Sequence, residues 1–317
     1  MPKPEILVLG RLASAPIMEQ LEVRYHCHHA WCVDASRQDD FIRGIGGNVR
    51  AVVTTGVIGI DAARIGLLPR LEIIAVNGIG VDAVALDVTH ARGIAVTSTP
   101  GVLTEDVADL AVLLLLAAAR RLPALDRYVR SGQWQRRVPL QASSSLRGKV
   151  AGIFGLGRIG RAIAQRLQAF GMELRYYQPR ELADNPFPRA ESLLALAAES
   201  DYLIVCAPAT PHTRHAVDAA VLAALGPQGT LVNIARGALV DEPALMAALQ
   251  DGRLGAAALD VFADEPHVPP ALCALDNVVL TPHVASLTVE TREAMGQLVL
   301  DNLSAHFSGL PLPTPVH

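Results

Sequence analysis

Short apolar runs alternate with stretches of helical periodicity along nearly the whole chain. Ile6–Leu9, Ala51–Thr54, Ile73–Val76 and Ile94–Val96 read as strands of a first set. Val150–Phe154, Leu174–Tyr177, Tyr202–Cys206, Thr230–Ile234, Ala256–Leu259 and Val278–Leu280 read as a second set. Runs of three to five mostly apolar residues separated by helical patterns predict βαβ units and parallel sheets covered on both faces. Between the two sets, after the break at Pro100-Gly101, Leu103–Leu122 is expected to form one long helix, acidic in its first turn and almost wholly apolar from Leu110. A helix apolar on most faces must be buried, either between domains or between subunits. Ser131–Lys149, with Trp134 and three consecutive serines, reads as a surface excursion, and Val289–Ser308 as a final long helix before a Pro-rich tail.

Composition narrows the class. With 317 residues, two domains are expected, and 51% apolar against 18% charged residues excludes a disordered chain. The longest apolar run, Leu110–Ala119, is bracketed by Asp109 and Arg120 and is shorter than the roughly 18 residues a membrane span needs. A net charge of −4 leaves no footprint for nucleic acid. The run Ile6–Leu9 is too short for a signal-peptide core, so a cytoplasmic protein is expected. Four cysteines, Cys27, Cys32, Cys206 and Cys273, form no CxxC pair. His26-Cys27-His28-His29 invites a metal reading, but neighbours on a strand point to opposite faces and cannot all converge on one ion. No metal site is expected.

Chemistry first enters at Gly155-Leu156-Gly157-Arg158-Ile159-Gly160, directly after the strand Val150–Phe154 and directly before a helical pattern with Ile163, Leu167 and Phe170 on one face. In that context the first glycine permits the turn, the second lets a pyrophosphate approach the backbone, and the third lets helix and strand pack closely. The pyrophosphate would meet the unpaired N–H groups at the positive end of the helix. A carboxylate about 20 positions on would grip the ribose 2′-hydroxyl of NAD. Here the second strand ends in Gln178-Pro179-Arg180. A neutral Gln178 beside Arg180 suits a 2′-phosphate, so NADP(H) is the preferred cofactor and NAD(H) the alternative.

Three further segments follow predicted strands: Asn233-Ile234-Ala235-Arg236-Gly237, Leu259–Pro266 and Thr281-Pro282-His283. Ligands of open α/β sheets bind outside the carboxyl ends of the strands, so Arg236, Glu265 and His283 can converge on one crevice. Taken together and in this order, the Gly155–Gly160 loop and these segments closely resemble the D-isomer-specific 2-hydroxyacid dehydrogenases. Asn77-Gly78-Ile79-Gly80, Thr99–Thr104 and Val289-Glu290-Thr291-Arg292 resemble the glyoxylate/hydroxypyruvate and hydroxyphenylpyruvate reductase branch.

The resemblance implies reduction of a small 2-oxo acid. His283 would be the general acid, Glu265 its partner, and Arg236 the holder of the substrate carboxylate, aided by backbone N–H groups around Asn77, Gly78, Ile79 and Gly80. It selects Glu265 over the adjacent Asp264. On the cofactor side it implies Cys206, Ala207 and Pro208, Thr213, Ile234 and Ala235, Asp260 facing the nicotinamide or its ribose, and Ser286. Cys206 would line the cleft as a small apolar group. Gly56, Asn77 and Trp134 are the candidates for substrate selection. His212 and His215 read as surface residues, and no metal is required.

Two other readings stay open: a nucleotide-sensing binding module like the corepressors of the same superfamily, and a formate- or phosphite-oxidising relative. The complete Arg–Glu–His set opposes the first, and Glu265 in place of an amide opposes the formate enzyme. The motifs also divide the chain. A nucleotide-binding Rossmann-like domain, 99–286, is inserted into a substrate domain made of 1–98 and 287–317. A homodimer through Leu103–Leu122 is expected, because the leucines at 113–116 would otherwise lack cover.

Overall fold

The computed structural model describes residues 3–183 and 185–316. The chain forms two compact units, one running to Leu103 and resuming at Ser286, the other spanning Thr104–Ala285. The segment 99–103 lies with the first unit. There the Thr99 N–H donates to the Gly78 carbonyl, and the Thr291 hydroxyl reaches the Val102 carbonyl.

The first unit holds five parallel strands, β1 (Glu5–Val8), β2 (His26–His29), β3 (Val49–Thr55), β4 (Ile73–Asn77) and β5 (Ala95–Thr97), in the order β2-β1-β3-β4-β5. Strand alternation builds a core on each face. Leu7, Val52 and Ile74 enter one cluster, while Ile6, Val8, Val53, Ile73 and Ala75 enter another. The helix Val289–Phe307 closes the second face with Val299, Leu300 and Leu303.

The second unit has six parallel strands: β6 (Val150–Phe154), β7 (Glu173–Tyr177), β8 (Tyr202–Val205), β9 (Thr230–Asn233), β10 (Ala256–Leu259) and β11 (Val278–Leu280), ordered β11-β10-β9-β8-β6-β7. The central strands β8 and β9 are buried at every position, as strands covered on both faces must be. The strand order places β9, β10 and β11 side by side, and the segments that follow them carry Arg236, Glu265 and His283.

The expected helix Leu103–Leu122 is two helices, Thr104–Ala119 and Leu122–Arg130. Arg121 takes a left-handed φ of 52°, and Pro123 sits in the first turn of the second helix. A proline has no N–H to continue the preceding ladder but is well suited to opening a new one. The four leucines also do not form one bare surface. Leu114 and Leu115 are buried, and Leu113 is the exposed one at 53%. The helix packs within its own unit on β9, β10 and the helix Arg158–Ala169, so its apolar character requires no partner subunit. Ser131–Lys149 carries turns and extended chain, with Trp134 68% exposed. Among the described residues no helix is long and apolar enough to cross a membrane.

Candidate active site

The glycine loop is shaped by what surrounds it. Gly155 has φ +94°, and a Cβ there would sit 2.7 Å from the Ala207 backbone. A Cβ on Gly160 would lie 2.3 Å from the Gly155 carbonyl oxygen, so this glycine lets the helix Arg158–Ala169 seat against the loop. A Cβ on Gly157, by contrast, would meet nothing within 4 Å. Gly157 caps the helix, so the open space lies where the helix presents its unpaired N–H groups. Ile163 and Leu167 are buried beneath, and Ile159 is half-buried.

The loop is tied to the end of β7. The Gly155 N–H donates to the Tyr177 carbonyl at 2.9 Å, and the Leu156 N–H to Gln178 Oε1 at 3.1 Å. Gln178 Nε2 donates in turn to the Arg180 carbonyl. Arg189, which sequence reasoning missed, donates to the carbonyls of Gln178 and Pro179 and lies over the Tyr177 ring. Its signal in the sequence is absent because it comes from a loop rather than a motif. The side chains of Arg158 and Arg180 are exposed. The acid nearest to Gln178 along the chain is Glu181, also exposed.

After β8, the Cys206 N–H donates to the Phe154 carbonyl, and burial pushes its thiol up to about 12. Such a thiol is no nucleophile near neutral pH. Ala207 is buried and Pro208 exposed. The Thr213 hydroxyl donates to the Pro208 carbonyl at 2.7 Å, closing the loop that carries His212 and His215, both exposed.

After β9, Asn233 brackets a turn. Its Nδ2 donates to the Arg236 carbonyl, and its Oδ1 accepts from the Ala235 N–H. Arg236 is half-buried and donates through Nη1 to the Ala235 carbonyl. Ile234 is buried and Ala235 half-buried. At Gly237 a Cβ would lie 2.0 Å from the Phe262 carbonyl, so glycine lets this turn approach the segment after β10.

Glu265 Oε2 lies 2.6 Å from His283 Nδ1, and its Oε1 accepts from the Phe262 N–H at 3.0 Å. Burial raises the Glu265 carboxyl. The hydrogen bonds from His283 and Phe262, with the charges of His283 and Arg236, outweigh burial and hold it below its ordinary value. Ionised Glu265 accepts only, so the imidazole must present Nδ1–H to it, leaving Nε2 as the other proton site. His283 has a left-handed φ of 53°, uncommon for a non-glycine residue.

Asp260 lies at the end of β10, beside the turn that carries His283. It is fully buried, and its carboxylate accepts from the Thr281 hydroxyl at 2.6 Å and from the Val284 and Ala285 N–H groups at 2.9 and 3.0 Å. Its carbonyl also accepts the His283 N–H. Asp260 therefore organises the turn that carries His283. Sequence reasoning also missed Glu242, whose Oε2 accepts the Ala263 N–H beside Glu265.

In the first unit, Asn77 ends β4 with its side chain buried, and Gly78 approaches Gly56, where a Cβ would lie 3.1 Å from the Gly56 nitrogen. Ile79 is exposed and Gly80 half-buried. Ser286 is half-buried where the chain re-enters this unit.

Residues 112–285 match the family described as D-isomer specific 2-hydroxyacid dehydrogenase, NAD binding domain. The chain belongs to the D-isomer-specific 2-hydroxyacid dehydrogenase family. It is 48% identical to a glyoxylate/hydroxypyruvate reductase A of Arabidopsis thaliana over 96% of both chains. A solved 2-hydroxyacid dehydrogenase from Ketogulonicigenium vulgare matches with a TM-score of 0.91 and 45% identity, covering 100% of this chain and 99% of that one. An NADPH-dependent glyoxylate/hydroxypyruvate reductase from Sinorhizobium meliloti, solved with NADP and malonate, matches with a TM-score of 0.89 and 43% identity over 99% and 97%. This member of the dehydrogenase family is thus an oxidoreductase that binds a nicotinamide cofactor. The glycine loop fits that cofactor through the clear space at Gly157 and the helix end beneath it.

Proposed function

We propose that this enzyme reduces a small 2-oxo acid, glyoxylate or hydroxypyruvate, to the D-2-hydroxy acid with NADPH. The observation that carries the reading is the 2.6 Å Glu265–His283 contact in the segments that follow β10 and β11, with Arg236 after the adjacent β9. A bound reduced nicotinamide supplies the hydride to C2 of the oxo acid. The Arg236 guanidinium holds the substrate carboxylate and draws electron density from the neighbouring carbonyl. With Nδ1 held by Glu265, His283 gives its Nε2 proton to the carbonyl oxygen as that oxygen gains charge. Glu265 keeps the ring oriented by accepting the Nδ1 proton in a hydrogen bond. In the first unit, the Asn77–Gly80 segment offers backbone N–H groups of the kind that binds a carboxylate.

The residues proposed to hold the dinucleotide are the Gly155–Gly160 loop and helix end for the pyrophosphate, and Gln178-Pro179-Arg180 for the adenosine ribose. NADPH is favoured because no carboxylate occupies position 178 to repel a 2′-phosphate, and Arg158 and Arg180 offer exposed guanidinium groups. The test is a steady-state panel of glyoxylate, hydroxypyruvate and hydroxyphenylpyruvate against both cofactors. Oxidation of NADPH by the first two supports the reading. Activity with NADH alone would remove the assigned role of Gln178 and Arg180, and no activity with any 2-oxo acid would remove the reading itself.

A further inference from the structure

The strand β2 lies at the edge of the first sheet and, among the described residues, pairs with β1 alone. Strand alternation divides its four residues, as expected, but leaves two imidazoles together. Cys27 and His29 share one face. Cys27 packs with the Ile6, Val8 and Leu21 cluster, and His29 Nε2 lies 3.3 Å from Glu22 Oε1. His26 and His28 share the other face with Glu5, the register partner of His26 on β1. The two rings meet edge to face with centroids 4.8 Å apart, and His28 Nε2 is 2.9 Å from Glu5 Oε2. One nitrogen from each histidine and one Glu5 oxygen all lie within 4.8 Å of one another.

We propose that Glu5, His26 and His28 form a binding site for a divalent transition-metal ion of the zinc, nickel or copper kind, with water completing the shell. Two imidazoles and one carboxylate are the donor set such ions prefer, whereas magnesium and calcium select oxygen alone. The Glu5–His28 pair by itself would account for only one imidazole. It leaves unexplained a second one placed against the first and on the same face. Bond lengths of about 2.0–2.2 Å around one ion put ligand atoms roughly 3.4 Å apart. Glu5 and His28 are already near that separation, and His26, being exposed, is free to rotate the remaining distance.

The thiol of Cys27 stays outside the shell, since it faces the opposite side of the strand. Glu5 and His26 begin their strands, whereas Asn77–Gly80 follows the end of β4, so the two lie at opposite ends of this parallel sheet. The ion would tie the edge strand to β1 and stabilise the unit without entering the proposed chemistry.

The test uses the untagged full-length chain, stripped with a chelator and titrated with Zn2+ and, separately, Co2+. One Zn2+ per chain should bind and raise Tm. The Co2+ form should show visible d–d bands without a thiolate charge-transfer band. His26→Ala should weaken Zn2+ binding at least about tenfold, since even groups that merely support a metal ligand cost that much. Its metal-free Tm and circular dichroism should match wild type, because His26 is exposed. Glu5→Gln should weaken binding in the same direction. Absence of saturable binding, affinity unchanged in His26→Ala, or a thiolate band would each overturn the proposal.

Discussion

Replacing Glu265 by Gln removes a charge and little else. The amide keeps an oxygen for the Phe262 N–H, now 3.0 Å from Oε1, and keeps the volume. What is lost is the carboxylate 2.6 Å from His283 Nδ1, on a side chain only 17% exposed. A hydrogen bond to a charged group is worth about 1.5–3 kcal/mol, against about 0.5–1.5 kcal/mol for a neutral one. The difference, roughly 1.4 kcal/mol, is tenfold in rate.

The Glu265→Gln variant should therefore lose about tenfold in kcat/KM at neutral pH. Stability follows the same group. Because the folded carboxyl is held below its ordinary value, its contribution is present above the ordinary carboxylate range and is lost as pH falls through the lowered value. The stability difference between wild type and Glu265→Gln should accordingly vanish in acid. The assay is NADPH oxidation with glyoxylate across pH, alongside urea unfolding at matched pH. A rate within about twofold of wild type would refute the charge-assisted pairing and leave Glu265 a packing role only.

Arg180→Ala should raise KM for NADPH while leaving KM for NADH within about twofold, so the ratio of the two kcat/KM values falls about tenfold or more, the loss of one charge-assisted contact; equal losses with both cofactors would contradict the 2′-phosphate assignment. Asp260→Ala strands the Val284 and Ala285 N–H groups, each at a cost of about 1–3 kcal/mol, and should lower both Tm and kcat. If Tm alone fell while kcat held, the turn would carry His283 without help from Asp260. Leu300→Ala, at a position fully buried against the first sheet, should cost about 2–5 kcal/mol in urea unfolding, and a smaller loss would mean the helix Val289–Phe307 contributes little to that core.

Strand positions and the glycine loop were legible because both are dictated by local pattern: apolar runs for covered parallel strands, and glycines where backbone meets backbone. Arg236, Glu265 and His283 were legible as loop residues after strands, but their adjacency depends on the order β9-β10-β11, which is a long-range property. The part Asp260 plays in the fold was hidden for a related reason, since its partners at 281, 284 and 285 come from the far side of β11. The break at Arg121 was hidden by a continuous apolar pattern, although Pro123 marked it. At His26–His29 the alternation argument was sound for the run as a whole but overlooked the i, i+2 pair and an acid on the neighbouring strand, which no spacing within the run could reveal.

In the proposed reaction His283 protonates the carbonyl oxygen during reduction. Single-turnover oxidation of NADPH by saturating glyoxylate, comparing wild type with His283→Ala at neutral pH, tests it directly. General acid catalysis supplies about 10²–10⁴-fold, so the variant should lose that much in rate while still binding NADPH. A His283→Ala rate equal to wild type would contradict the account.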